Sequence, residues 1–145
     1  MILIHKNGTR IKLYSEESLT TLDDSPVLHI CTEDGANSSE MKARLDKMLS
    51  QKLEWYIAYG PDALLWCQKA ELLKISEIEQ EPESEYKFST FSFDDEQDLS
   101  MALHQLTSFS SASNNNQVYK EFIVISDSIE ETKLCLGVLG YQTLL

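Results

Sequence analysis

Two short runs open the chain, of which residues 2–5 are mostly apolar and residues 10–14 alternate basic with apolar side chains. They flank Asn7-Gly8, a dipeptide typical of tight two-residue turns, because the central positions of such turns require positive φ. Residues 1–14 are therefore predicted to form a β-hairpin. Residues 15–25 are polar and are interpreted as a connection.

Four further apolar runs predict the strands of a sheet. They span residues 27–31, 55–59, 86–93 and 121–126. The last run has four apolar residues in succession, Phe122 to Ile125, which is typical of a central strand covered on both faces. A short final strand over 141–145 is expected at a sheet edge, after Gly140 ends the preceding helix.

Helical periodicity separates these strands. One helix is predicted after Asn37, with an apolar stripe formed by Met41, Leu45, Met48, Leu49 and Leu53. A second stripe comprises Leu99, Ala102, Leu103, Leu106 and Phe109. A last helix is predicted from Asp127 to about Leu139. Asp94 or Asp95, and Asp127, are predicted to cap the last two helices, since an aspartate oxygen accepts N–H groups of the first helical turn.

The stretch from 61 to 78 allows two interpretations. Pro61 can open a helix that continues to about Ile78. Alternatively, residues 60–62 can form a turn that leads into a returning strand at 63–67. The Ala, Leu, Gln, Lys and Glu residues that dominate positions 63–74 favour the helix.

Strands and helices alternate after the hairpin, which predicts the α/β class. We expect residues 1–145 to form a single domain, a three-layer sandwich whose mostly parallel or mixed sheet is flanked by helices and preceded by the hairpin. Residues 110–117 read Ser-Ser-Ala-Ser-Asn-Asn-Asn-Gln. That composition cannot contribute to a core, so this segment is predicted to be a mobile loop.

Charge narrows the classes of partner. The 145 residues include 24 acidic and 12 basic side chains, for a net charge of −12. Such a chain repels phosphates, which argues against binding to nucleic acid or an anionic membrane. No run is apolar enough to span a bilayer, and the basic residues near the start are unlike a secretory signal. Three cysteines without a CxxC pair are typical of reduced thiols, so a cytoplasmic location is expected.

An acidic stretch from 76 to 98 is the most unusual feature of the sequence. Its nine acids are opposed there only by Lys87, and they are Glu77, Glu79, Glu81, Glu83, Glu85, Asp94, Asp95, Glu96 and Asp98. Charge runs of this kind are often only solvated connections. The functional hypothesis is that they attract a basic protein partner. The leading interpretation is a small acidic binding protein, comparable to an immunity protein or inhibitor, without catalysis and without a cofactor.

A second hypothesis uses acids that follow four predicted strands, namely Asp34, Asp62, Asp94 and Asp127. If the strands are parallel, these carboxylates meet at one edge, where they could hold Mg²⁺. The chain would then be a metal-dependent phosphoryl-type enzyme or a small-ligand sensor. Aspartates are also common helix caps, however, and no phosphate-binding glycine motif is present.

A third hypothesis is a self-associating structural protein. Trp55, Tyr56, Tyr59 and Trp66 fall within twelve residues and could form a homodimer face, although most such rings are expected in the core. His29 and Cys31 lie two residues apart on one predicted strand and are interpreted as a packing pair rather than a reactive pair.

Overall fold

Seven strands form one mixed sheet. The computed structural model describes residues 1–30, 38–81, 83, 86–110 and 118–144. The strands are β1 (Ile2–His5), β2 (Arg10–Tyr14), β3 (Val27–Ile30), β4 (Trp55–Tyr59), β5 (Ser89–Phe93), β6 (Glu121–Ser126) and β7 (Tyr141–Thr143). Their spatial order is β5-β4-β3-β6-β2-β1-β7. The predicted α/β class is confirmed, as are the N-terminal hairpin and the short final strand at a sheet edge.

Five neighbouring strands of the sheet run parallel, from β5 through β4, β3 and β6 to β2. The strand β6 lies in the centre, and all its residues after Glu121 are buried, as its apolar run predicts. From β3 the chain moves to β4 and β5, and it then returns to place β6 on the other side of β3. The order of strands therefore reverses between β3 and β6.

Helices cover both faces of the sheet, as predicted for three layers. They are α1 (Ser38–Met48), α2 (Ala63–Gln80), α3 (Leu99–Thr107) and α4 (Ile129–Val138). The helices α1 and α2 share one apolar cluster with one face of the sheet, and α3 and α4 share another with the opposite face. Residues 61–78 thus belong mostly to a helix, and the alternative of a turn and a strand is wrong. Within the described residues, no helix is both long and apolar enough to cross a membrane.

Side-chain alternation along β4 follows the strand period. Trp55 and Ile57 enter the cluster beneath α3 and α4, whereas Tyr56 and Ala58 enter the cluster beneath α1 and α2. The predicted strand at 86–93 begins later than expected, at Ser89. Before it, the Tyr86 hydroxyl donates a hydrogen bond to the carbonyl of Leu53, so this ring is held beside the sheet rather than within it.

The cap of α3 differs from the prediction. Asp98 is the N-cap residue, and its Oδ1 accepts the N–H of Ser100 at 3.0 Å. Asp94 lies in the preceding turn, where its Oδ1 accepts the N–H of Glu96 at 3.0 Å. Short aspartate side chains bond readily to nearby backbone in turns as well as at helix ends. The prediction of Asp94 or Asp95 as the cap was therefore wrong.

The start of α4 also departs from the prediction. Ser128 occupies the N-cap position and makes no side-chain capping bond, so the assignment of Asp127 as the cap was wrong. The N–H of Ser128 instead donates to Oγ of Ser126, at 3.0 Å. Asn37, the predicted cap of α1, and most of the predicted loop at 110–117 lie outside the described residues.

Candidate functional site

The eight described acids of the predicted partner surface lie at two opposite edges of the sheet. We call the edge where the parallel strands begin the amino edge, and the edge where they end the carboxyl edge. Glu77 to Glu83 follow or end α2 at the amino edge, whereas Asp94 to Asp98 follow β5 at the carboxyl edge. The five residues of β5 separate the two groups by about 16 Å. Glu85 lies outside the described residues.

The amino-edge group is partly neutralised by the protein's own lysines. Glu77 Oε2 lies 3.1 Å from Nζ of Lys74, and Glu81 Oε2 lies 3.6 Å from Nζ of Lys52. Among the described residues, Glu79 and Glu83 have no ion-pair partner. About half of the negative charge of this group is therefore already balanced within the chain.

Lys74 is a buried ammonium group that the sequence analysis did not single out. Its side chain is only 2% exposed, and its Nζ donates to the carbonyls of Ser50 and Gln51, at 2.7 and 3.3 Å, as well as to Glu77. These carbonyls follow the end of α1, where the helix dipole favours a cation. The burial of Lys74 could have been predicted from its position, because it lies one helical turn after Ala70 on the buried face of α2.

The carboxyl edge carries the larger unbalanced charge. Seven described carboxylates lie there, at the ends of β4, β5 and β6 or in the helical turns that follow, and they are Asp62, Asp94, Asp95, Glu96, Asp98, Glu130 and Glu131. None forms an ion pair with any residue in the described ranges. All twelve basic residues of the chain lie in those ranges. This edge therefore presents concentrated negative charge to an approaching molecule.

A cavity of about 300 Å³ opens at the carboxyl edge. Its lining comprises Ile30, Tyr59, Gly60, Pro61, Asp95, Leu99, Ser128, Glu131 and Thr132. It lies beyond the carboxyl ends of β3, β4 and β6, beside the point where the strand order reverses, which is the position at which open α/β sheets bind ligands. The walls are mainly apolar, and two carboxylates, those of Asp95 and Glu131, lie among the lining side chains.

The predicted metal ligands are not brought together as a described cluster. Asp62, Asp94 and Asp127 follow β4, β5 and β6 at the carboxyl edge, as the parallel topology requires, while Asp34 lies outside the described residues. In the described part of the chain, no three histidine, cysteine or acidic side chains are grouped closely enough to hold a metal ion. The acids that line the cavity are different ones, Asp95 and Glu131.

A polar network crosses the sheet face beneath α1. His29, on β3, is completely buried, and its Nδ1 lies 2.8 Å from the Tyr56 hydroxyl. Its Nε2 lies 2.9 Å from Oε1 of Glu16. Because an ionised carboxylate only accepts, Nε2 carries the proton and Nδ1 accepts from the tyrosine. Arg44 donates to both oxygens of Glu16, at 2.8 and 2.5 Å, and its guanidinium lies over the Trp66 ring.

These contacts set the charge states of the network. Burial acts to raise the pKa of Glu16, but hydrogen bonds from His29 and Arg44 outweigh it and hold the pKa at about 2, below the ordinary 4.5. Burial lowers the pKa of His29, and its bond to Glu16 opposes that effect only in part. The network is therefore a neutral imidazole between a tyrosine and an ion pair. Its charges are satisfied internally, which indicates a structural role.

The aromatic residues proposed as a dimer face are mostly in the core. Trp55, Tyr56 and Trp66 are buried, and only Tyr59 is half-exposed, with its hydroxyl donating to the carbonyl of Gln97. Three of the four rings are therefore inaccessible to a second copy.

Cys67 is buried and its pKa is raised by burial to about 11, which makes its thiol unreactive near neutral pH.

Cys31 lies outside the described residues, so its predicted packing against His29 stays a prediction. Cys135, the third cysteine, is half-buried on α4.

Comparisons with protein-family models, with curated proteins and with solved structures found no match for this chain.

Proposed function

We propose that this chain is a small acidic binding protein that engages a basic protein partner through its carboxyl edge, as an immunity protein or inhibitor would. The observation that carries the proposal is the set of exposed carboxylates there without basic partners among the described residues. Complementary charge steers association and raises its rate by roughly 10- to 1000-fold at low salt. The same charge disfavours nucleic acid and anionic membranes as partners.

The cavity at the carboxyl edge supports the same kind of partner. Its apolar wall, formed by Ile30, Pro61 and Leu99, suits the methylene stem of a lysine or arginine. Asp95 and Glu131 would then accept hydrogen bonds from the cationic end. The proposal needs no catalysis and no cofactor. We place the protein in the cytoplasm, where its cysteines would stay reduced.

Two charge-reversal variants test which edge binds. One carries Asp95→Lys, Glu96→Lys and Glu131→Lys at the carboxyl edge. The other carries Glu79→Lys, Glu81→Lys and Glu83→Lys at the amino edge. Each changes the net charge from −12 to −12 + 6 = −6, so the two differ only in where the charge is reversed. All six side chains are exposed, so we expect both variants to keep the melting temperature of the wild type within a few degrees.

The readout is association with a synthetic peptide rich in lysine and arginine, measured by stopped-flow fluorescence at low and at physiological salt. We expect the carboxyl-edge variant to bind at least tenfold more slowly than the amino-edge variant at low salt. Equal losses would mean that only net charge matters, and the proposal would fail. A larger loss at the amino edge would assign binding to Glu79, Glu81 and Glu83 instead.

A small-ligand sensor is the second candidate, and the cavity between β3 and β6 is the observation that favours it. A divalent cation such as Mg²⁺, with or without a phosphate-bearing ligand, would use carboxylates at this edge. Thermal melts with Mg²⁺, Mn²⁺ and nucleotides test this candidate. A rise in melting temperature that Asp95→Asn abolishes would support it, and melts unchanged by all of these additions would remove it.

A further inference from the structure

The helix α2 is apolar on two opposite faces. Its inner face is buried against the sheet and comprises Ala63, Trp66, Cys67, Ala70 and the stem of Lys74. Its outer face exposes Leu64, Leu65, Leu72 and Ile75, at 60%, 47%, 63% and 46%. The apolar residues of a surface helix normally face the core. Here only one side of α2 is covered by the described residues.

The four exposed residues lie on one face of the helix, which we call the outer stripe, as two pairs on either side of the exposed Gln68. At about 100° per residue they fall within an arc of about 100°, nearly opposite the buried face. Leu64 and Ile75 are separated by three turns, so the stripe is about 16 Å long. Single exposed leucines are ordinary on protein surfaces, but four large apolar residues exposed on one face of one helix mark a candidate contact surface.

The charges around the outer stripe indicate what covers it. Asp62 precedes its first residue at the carboxyl edge, and Glu79 follows its last residue on the same face, one turn beyond Ile75. Glu83 lies beyond this end and has no ion-pair partner among the described residues, whereas Glu81 pairs with Lys52. Lys69 and Glu71, of opposite charge, flank the middle of the stripe. The outer stripe thus has an acidic residue at each end. An occupant with an apolar row and basic flanks would match it along its whole length.

A second copy of this chain matches the stripe poorly. Its own stripe has the same acidic ends, and each copy carries a net charge of −12. Pairing two such helices would bring like charges together at both ends of the contact. A basic partner would be attracted by the acidic residues at both ends of the stripe, where a second copy would be repelled.

We infer that the outer stripe of α2 receives an amphipathic basic helix of the protein partner. Leucine-sized anchors at i, i+3, i+4 and i+7 of that helix would pack along Leu64, Leu65, Leu72 and Ile75. Lysine or arginine residues at its ends would lie near Asp62 and Glu79. The inference rests on the proposed function, because it takes the basic character of the partner from it and adds the contact surface.

Two synthetic peptides of about 15 residues separate apolar docking from charge attraction. Both have the same leucine and lysine composition. The first places its leucines on one helical face, and the second has them scrambled so that no face forms. Binding to the full chain is measured by fluorescence anisotropy. We expect the amphipathic peptide to bind at least tenfold more tightly than the scrambled one.

Matched variants locate the contact. Leu72→Ser with Ile75→Ser should weaken the amphipathic peptide at least tenfold and leave the scrambled peptide unchanged, because only the apolar contact is lost. Leu134→Ser with Val138→Ser is the control, since these residues of α4 are even more exposed, at 73% and 87%. We expect the control to bind both peptides as the wild type does.

Each alternative outcome overturns the inference in a recognisable way. Equal affinity for both peptides would mean that charge attraction alone accounts for binding, and the inference of apolar docking on the outer stripe would be wrong. Equal losses of affinity in the α2 and α4 variants would mean that the peptide binds any exposed apolar residue and not the outer stripe in particular. Failure of both peptides to bind removes the proposed function as well. Concentration-dependent dimers in light scattering that the α2 variant abolishes would assign the stripe to a second copy.

Discussion

Replacing Glu16 by glutamine should make the stability of the protein less dependent on acid pH. In the folded chain the pKa of Glu16 is about 2, against an ordinary 4.5. The carboxylate therefore contributes stability that is fully present above about pH 4.5 and is lost as the pH falls towards 2. Glu16→Gln keeps the shape of the side chain but removes the charge that His29 and Arg44 both contact.

The magnitude follows from the same pKa difference. At about 1.36 kcal/mol per pKa unit, a fall from 4.5 to about 2 corresponds to about 3 kcal/mol. The Glu16 side chain is 28% exposed, so solvent screening reduces this figure. We therefore expect Glu16→Gln to lower the free energy of unfolding by about 2 kcal/mol at pH 7. The loss of one hydrogen bond to a charged group, about 1.5 to 3 kcal/mol, is of the same order.

The assay is urea denaturation followed by tryptophan fluorescence, since Trp55 and Trp66 are both buried. Measurements at several pH values between 7 and 2 compare wild type with Glu16→Gln, and the difference should shrink towards zero near pH 2. Because burial lowers the pKa of His29, both proteins also lose stability as the pH falls below 6.5.

Glu17→Gln is the matched control. Glu17 is the next residue, is exposed, and its substitution makes the same change in net charge. It should change the free energy of unfolding by less than about 0.5 kcal/mol at any pH. A difference between wild type and Glu16→Gln that stays constant from pH 7 to pH 2 would show that the charge of Glu16 is not the source of the stability.

Three further substitutions have outcomes that thermal or urea denaturation can check. Gly140→Ala should destabilise the fold by about 2 kcal/mol, because the φ of Gly140 is +97° and the added Cβ would lie 2.9 Å from the His5 ring. Gly8→Ala should cost about half as much, because Gly8 has a similar φ of +94° but no atom near the added Cβ. Equal costs for the two substitutions would contradict the steric contribution of His5. Lys74→Met should cost about 2 kcal/mol by leaving two carbonyls without their donor, and an unchanged stability would show that water replaces the ammonium group. Asp98→Ala should cost about 1 kcal/mol through loss of the α3 cap, and no change would rule out that capping bond.

Local patterns predicted most of the elements, because hairpins, strands and amphipathic helices depend on residues close in sequence. The hairpin and the apolar run of β6 are examples, and both lie where predicted. The turn itself differs from the two-residue turn predicted at Asn7-Gly8, because Gly8 N–H donates to the His5 carbonyl and Lys6 and Asn7 are the central residues. The ambiguity at 61–78 also has a physical origin. Because α2 is apolar on both faces, its pattern lacks the single stripe that identifies an amphipathic helix.

The site was harder to predict because it depends on contacts between distant residues. The nine acids from 77 to 98 look continuous in sequence, but β5 divides the eight that the structure describes between two edges. Their neutralisation depends on Lys52, which is 29 residues from Glu81, and on a lysine whose burial only the packing of α2 reveals. The carboxyl-edge cavity likewise draws on residues from four separate segments.

The uneven distribution of charge makes the molecule an electric dipole. Its negative pole is the carboxyl edge, and Lys6, Arg10 and Lys120 lie at the opposite end of the sheet, in the hairpin turn and at the starts of β2 and β6. In the field of a cationic molecule such a dipole experiences a torque, so it rotates to present its negative pole before the surfaces touch. Orientation during the encounter would then depend on ionic strength over distances of about one Debye length, roughly 8 Å in physiological salt.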